Sequence, residues 1–235
     1  MRVVQKFSPN YCERITIDPK FVVLHYTACS LEKVFKLFFR EPRKESGLSE
    51  TEKIWPCSHL IIDYDGTAYE IVPTFGKKVA YCRHSGESRY FYGKESFEKF
   101  NNFSIGIEIV NLNGNIFPYT DSQYNSLKET FLKLALLYPT LSNVDRIIGH
   151  EHIAGFRGKV DPGWMFDWER LYRSLPPQFG AAKSGQVNRA PVLSKRLLDS
   201  LRGKADPTNN DDQYWIDLSL WLEKETHTEK LGSSS

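Results

Sequence analysis

The segment Ser104-Ile105-Gly106-Ile107-Glu108-Ile109-Val110 narrows the fold more than any other stretch of this chain. Isoleucine at alternate positions requires an extended strand with one face pressed into a core, because side chains on a strand project with period two. The opposite face then carries Gly106 and Glu108. A carboxylate in mid-strand is costly to bury without a partner or a task. Two readings stay open here: a paired structural carboxylate, or a catalytic one.

Other runs supply the neighbours of this strand. Phe21-Val22-Val23-Leu24-His25 reads as a buried strand that delivers a histidine to a sheet edge. Leu60-Ile61-Ile62 and Ala68-Tyr69-Glu70-Ile71-Val72 flank Asp65-Gly66, a dipeptide whose residues tolerate positive φ, and predict a tight hairpin. Arg146-Ile147-Ile148-Gly149 predicts a further brief strand ending at His150. Leu31, Val34, Phe35, Phe38 and Phe39 recur at helical spacing behind Ser30, a good N-cap. Tyr124, Leu127, Phe131, Leu134 and Ala135 mark a second amphipathic helix, halted by Pro139, and Glu41 to Lys53 reads as a loop.

The expected fold class is therefore mixed α/β, a central mixed β-sheet flanked by helices. From Pro176-Pro177 onward the composition turns to Gly, Ala, Ser, Lys and Asn. Helical patterns follow at Val192 to Leu201 and Tyr214 to Leu222, so residues 1–175 are expected to form the catalytic domain and 176–235 a linker with a short helical C-terminal appendage.

With 31 basic and 29 acidic residues the net charge is only +2, so no global field draws the chain to nucleic acid or to anionic membrane. The start, Met1-Arg2-Val3-Val4-Gln5-Lys6, lacks the apolar stretch of about 7–15 residues of a secretory signal, and no apolar run reaches the roughly 18 residues of a transmembrane helix. The expected location is cytoplasmic, or exported and periplasmic if the chain is a trimmed form. Cys12, Cys29, Cys57 and Cys82 contain no C-x-x-C pair and are expected as free thiols, with disulfides the alternative for an exported protein. Oligomeric state is not legible.

The chemistry gathers at strand ends. His25 closes one strand and His150 another, and Asp161 follows past Gly155 and Gly158, which let a loop curl back. Two histidines and one carboxylate are the ligand types of a catalytic Zn2+, where three protein groups leave a fourth position to water. In an extended Lys159-Val160-Asp161 the first and third side chains share a side, which sets the Lys159 ammonium beside the metal. Glu108, its carboxyl group desolvated, suits proton transfer, and Lys159 suits an oxyanion. Such a set can hydrolyse an amide.

Competing readings attach to several of these residues. His25 could be a hydrogen-bonded core histidine and Lys159 an ordinary surface lysine. His152 competes with His150 as ligand, and His59 reads as structural or supporting. Trp164, Phe166 and Trp168 read either as core or as a sugar-stacking wall.

His25-Tyr26-Thr27-Ala28, Ser58-His59-Leu60-Ile61-Ile62-Asp63 with Asp65-Gly66-Thr67, His84-Ser85-Gly86-Glu87-Ser88, Asn102-Phe103-Ser104-Ile105-Gly106-Ile107-Glu108 and Gly149-His150 with Lys159-Val160-Asp161-Pro162-Gly163 stand in one order along residues 8–168. Together they resemble the zinc-dependent N-acetylmuramoyl-L-alanine amidases of the AmpD type, relatives of the peptidoglycan recognition proteins. Ser8-Pro9-Asn10-Tyr11 adds a likeness to the AmiD branch. The resemblance implies His25, His150 and Asp161 as zinc ligands, Glu108 as the catalytic glutamate, Lys159 as the lysine that steadies the transition state, and His84 as a residue of the substrate groove. It implies cleavage between the lactyl group of N-acetylmuramic acid and L-alanine, with muropeptides or anhydromuropeptides as partners. A non-hydrolytic peptidoglycan-binding module and a zinc peptidase acting within the stem peptide are the alternatives. The chain departs from the family loop, His-x-Asp-Ile-Ala-Pro-x-Arg-Lys-x-Asp: His152 replaces the acid, Gly155 replaces the proline, and Gly158 is inserted before Lys159.

Overall fold

The computed structural model describes residues 1–180, 195–204, 206, 214, 217, 218, 220–222, 224 and 225. Its strands are β1 (Val3–Gln5), β2 (Cys12–Ile17), β3 (Phe21–Tyr26), β4 (Leu60–Ile62), β5 (Ala68–Glu70), β6 (Val79–Tyr81), β7 (Arg89–Tyr92), β8 (Glu95–Glu98), β9 (Ser104–Ile109) and β10 (Ile147–Gly149). Its helices are α1 (Leu31–Phe38), α2 (Glu50–Lys53), α3 (Asp121–Leu137), α4 (His150–Ala154), α5 (Trp168–Ser174) and α6 (Lys195–Lys204).

A 6-stranded sheet in the order β1-β5-β4-β9-β3-β10 forms the centre. Only the β4/β5 pair is antiparallel; the other pairings are parallel, so the sheet is mixed as expected. β2/β6 and β7/β8 form separate antiparallel pairs.

Period two decides the layers. Ile105, Ile107 and Ile109 of β9 and Val22 and Leu24 of β3 are fully buried on one face, against Leu127, Phe131 and Leu134 of α3 and Trp168 and Leu171 of α5. Each such aliphatic chain contributes about 1.5–3 kcal/mol relative to full exposure. Phe21 and Val23 on the other face of β3 meet Phe100, Ile148 and Ile153. Beside them Val34 of α1 packs with Ile61, Ile71 and the buried cysteines Cys29, Cys57 and Cys82, which are not disulfide-bonded.

Local signals explain most boundaries. Ser30 caps α1 by accepting from the Lys33 amide, and Thr120 caps α3, accepting from Gln123 N–H while Gln123 Oε1 accepts from Thr120 N–H. In the hairpin between β4 and β5 only Gly66 of the Asp65-Gly66 pair takes positive φ; Asp63 N–H to Thr67 O closes the turn, so it is wider than a two-residue turn. Within the expected loop Glu41 to Lys53, Ser49 and Glu52 form a capping box that starts the short α2.

Leu175 and Phe179 belong to the main core, and beyond them Leu197, Leu201, Leu218 and Leu222 cluster on Ile116. The expected helix Val192 to Leu201 is found as α6, except that 192–194 lie outside the described residues; Tyr214 to Leu222 is described only in part, with helical residues at 214, 217, 218 and 220–222.

Candidate metal centre and active site

Parallel pairing brings three strand ends to one edge of the sheet. β3 and β9 lie in register with His25 beside Glu108, and β10 pairs Gly149 with Leu24. His150, the first residue of α4, therefore emerges next to His25; the two rings lie 4.5 Å apart between centroids. Crevices outside the carboxyl ends of parallel strands are where α/β sheets bind ligands.

Asp161 reaches this point from the loop after α4. Gly158 adopts φ of 79°, ending the 3-10 turn Gly155–Arg157 with a left-handed residue and turning the chain back toward the cavity. The inserted glycine thus serves the return of Lys159 and Asp161. Asp161 Oδ2 lies 2.9 Å from His25 Nδ1 and 3.0 Å from His150 Nδ1. The ligand atoms of His25, His150 and Asp161 all fall within 4.8 Å of one another, and both histidines are buried, at 2% and 4% exposure.

The hydrogen-bond network orders the protons. His150 Nε2 lies 3.2 Å from the Ser85 carbonyl and 3.4 Å from Arg157 Nη2, and its Nδ1 faces Asp161. His25 Nε2 faces His84 Nδ1 at 3.2 Å. Burial, and then the neighbouring His150, push the His25 imidazolium down to about 4, so the ring is neutral at ordinary pH. Burial opposes ionisation of Asp161, but His150 and His25 outweigh it and hold the carboxyl group below the usual range. A carboxylate oxygen and two ring nitrogens, atoms of the kind a metal takes as ligands, converge on one point. The donor set fits a tetrahedral divalent ion with an open position.

Glu108 lines the same cavity. Ser58 Oγ reaches its Oε1 at 3.4 Å, while the buried Oε2 has no hydrogen-bond partner. Burial first, then the Asp161 carboxylate, raises the Glu108 carboxyl group well above its ordinary range, and Lys159 draws it back. Lys159 is exposed and also lines the cavity. The cavity measures about 650 Å³, and Leu112, Val160, Trp164 and Leu220 contribute apolar lining.

His84 lines the cavity too, with its ring centroid 5.5 Å from that of His25. His152 turns away, its Nδ1 accepting from the Gly149 amide and its ring against Trp168. His59 is fully buried, bridging Ala80 O and the Gly106 amide. Of the three aromatics, Phe166 and Trp168 are core, and Trp164 faces the cavity. The sequence reading overlooked Ser85, Asn101 and Arg157: Asn101 Oδ1 accepts from the amides of His84 and Ser85, and Arg157 Nη2 donates to Ser85 O at 2.9 Å. Ser85 stands inside a quoted motif and Arg157 at the arginine of the family loop, but neither was given a role, and Asn101 only adjoins a motif.

A mixed sheet whose strand ends deliver such a donor trio, a desolvated carboxyl group and an ammonium to one cavity defines an amide hydrolase. Residues 16–164 match the family described as N-acetylmuramoyl-L-alanine amidase, and the chain belongs to that family. It is 33% identical over 165 residues to the 1,6-anhydro-N-acetylmuramyl-L-alanine amidase AmpD of Haemophilus influenzae, covering 67% of this chain and 83% of the relative. To the AmpD of Enterobacter cloacae it is 39% identical over 135 residues, 57% of this chain and 65% of the relative. The crystal structure of a selenomethionine AmpD derivative superposes with a TM-score of 0.55 at 27% identity, over 74% of this chain and 94% of that one. The complex of AmiD from E. coli with anhydro-N-acetylmuramic acid-L-Ala-D-gamma-Glu-L-Lys shares the fold, with a TM-score of 0.53 at 20% identity over 89% of this chain and 82% of that one. Among the described residues no helix is long and apolar enough to cross a membrane.

Proposed function

We propose that this amidase hydrolyses the amide between the lactyl group of N-acetylmuramic acid and L-alanine in soluble anhydromuropeptides, with one Zn2+ held by His25, His150 and Asp161. The convergence of three electron-pair donors beside the unpartnered Oε2 of Glu108 carries the reading. The relatives named for 1,6-anhydro-N-acetylmuramyl-L-alanine support the anhydro sugar, as does the ligand seen with AmiD.

A zinc ion at the trio supplies Lewis acidity, polarising the scissile carbonyl and easing ionisation of water. Glu108 Oε2 takes a proton from the attacking water as its oxygen bonds to the carbonyl carbon. The same carboxyl group returns that proton to the alanine nitrogen as the C–N bond breaks, leaving a lactyl carboxylic acid and a free amine. Its raised proton affinity suits this give and take. Lys159 offsets the negative charge that develops on the carbonyl oxygen. Trp164 offers an apolar face to the sugar ring. The catalytic unit is residues 1–175 with Phe179 added to its core, the linker expected near 176–190 lies mostly outside the described residues, and beyond it Leu197, Leu201, Leu218 and Leu222 pack on Ile116 while Leu220 lines the cavity.

The test is mass spectrometry of an anhydromuramyl peptide after incubation with zinc-loaded protein. Release of intact stem peptide is expected. An unchanged mass overturns hydrolysis, and fragments cut within the peptide overturn the assigned bond. Comparison with polymeric sacculi decides between soluble fragments and wall as substrate.

A further inference from the structure

We propose that Asn101 and the loop residues His84 and Ser85 form a clamp that fixes the tautomer and aim of both histidines in the metal-binding trio, which makes His84 a positioning residue. The inference rests on the metal reading above, and the atoms argue it as follows. Ser104 Oγ donates to Phe100 O at 2.6 Å, so its hydrogen is committed. His84 Nε2 lies 3.1 Å from Ser104 O and 3.2 Å from Ser104 Oγ; both are acceptors there, so His84 Nε2 carries the ring hydrogen. A neutral His84 then has a bare Nδ1, which can only accept, and His25 Nε2–H is the donor 3.2 Å away. Nδ1 of His25 is left as the ligating atom.

The next residue does the same for the other imidazole. Ser85 O lies 3.2 Å from His150 Nε2 and also accepts from Arg157 Nη2, which itself stands 3.4 Å from Nε2; a His150 bound to metal through Nδ1 would donate from Nε2 to this carbonyl. A single carboxamide oxygen, Asn101 Oδ1, holds both residues of the loop: it accepts from His84 N at 3.0 Å, Ser85 N at 2.8 Å and Ser85 Oγ at 2.8 Å. The sheet leaves room for the clamp at one place. A Cβ on Gly106 would stand 2.5 Å from the His84 ring, so β9 needs glycine where the imidazole crosses it. Partners of this kind, donating or accepting at the nitrogen remote from the metal, fix ligand orientation, and losing one typically lowers metal affinity about 10–100-fold.

His84→Asn keeps an acceptor oxygen near the Nδ1 position, whereas His84→Gln carries its carboxamide out toward Ser104 and away from His25. Zinc affinity of the full chain is measured by competition with a chromophoric chelator, and the Co2+ form is followed by its visible absorption bands. The expected result is zinc binding weakened about 10–100-fold in His84→Gln and in Asn101→Ala, near-parental binding in His84→Asn, and a displaced cobalt spectrum only in the weakened variants. Parental affinity in His84→Gln, or His84→Asn no better than His84→Gln, overturns the clamp. The zinc-loaded parent needs no variant to fold: long-range 1H–15N correlation is expected to show both liganding rings protonated at Nε2, and coordination through Nε2 overturns the proposal. Failure of the parent to take up zinc removes the metal reading itself, a result distinct from tight binding in every variant, which removes only the clamp.

Discussion

Glu108→Gln separates the chemistry at this site from its assembly. The substitution preserves shape and removes proton exchange. Glu108 receives only the 3.4 Å contact from Ser58, and its Oε2 has no partner, so the metal trio loses no support. General acid–base catalysis is worth about 10²–10⁴-fold, which at about 1.36 kcal/mol per factor of ten is roughly 2.7–5.4 kcal/mol of barrier. The expected result is a fall in kcat of that size on an anhydromuramyl peptide, with zinc content unchanged. Stability should move the other way. Because the folded-state carboxyl group is raised above its unfolded value of about 4.3, the folded protein holds the proton more tightly, and stability falls as pH rises between the two values. Glutamine does not ionise, so metal-free Glu108→Gln should lose that slope; each 1 kcal/mol regained at neutral pH lifts Tm by about 2–4 °C. Thermal melts across that pH window give the answer. Parental kcat with zinc bound refutes the catalytic role, and an unchanged slope refutes the buried, proton-hungry carboxyl group.

Asp161→Ala removes the one oxygen that faces both imidazoles, so zinc binding and turnover are expected to vanish together; elemental analysis of the purified variant checks the first and peptide release the second. Lys159→Ala should lower kcat by about 10²–10³-fold, as loss of one oxyanion donor does, while zinc content and KM stay near the parent in steady-state assays. Phe131→Ala empties a position that is 1% exposed between α3 and the sheet and should cost about 3–5 kcal/mol, read from denaturant unfolding.

The parts of the fold legible in the sequence are those with a strong period. β3, β9, β10, α1 and α3 follow from runs whose alternation or helical spacing reflects a single buried face. β1, β2, β6, β7 and β8 went unread for a physical reason: Arg89–Tyr92 alternates only between exposed and partly buried residues, Glu95–Glu98 has Phe97 alone partly buried, and β1 has only Val3 and Val4 partly covered. Their pairing is set by register with distant strands rather than by local pattern. The metal trio was legible because its members close strands or sit in one glycine-bearing loop. The difference between His150 and His152 was not legible in local spacing, and the family motif is what favoured His150. That difference depends on α4 starting at residue 150, which turns His152 back to accept from the Gly149 amide. Asn101 was invisible because a carboxamide in a turn has no spacing that betrays what it holds.

The trio also links folding to the metal. The three donors meet only when β3, β10 and the loop to Asp161 are folded together, and His25 stays neutral until pH falls to about 4. Folding at neutral pH therefore assembles the donor set, so on the proposed reading zinc is expected to bind the native state far better than the unfolded chain. Linkage sets the size: free zinc at 100 times Kd adds about 2.7 kcal/mol, which for a chain of this length raises Tm by roughly 5–11 °C. Calorimetric scans at stepped free zinc should show Tm climbing with the logarithm of concentration, and Asp161→Ala should show a flat line at the same pH. A parent whose Tm ignores zinc while it binds the ion stoichiometrically refutes the claim that the native fold alone brings these donors together.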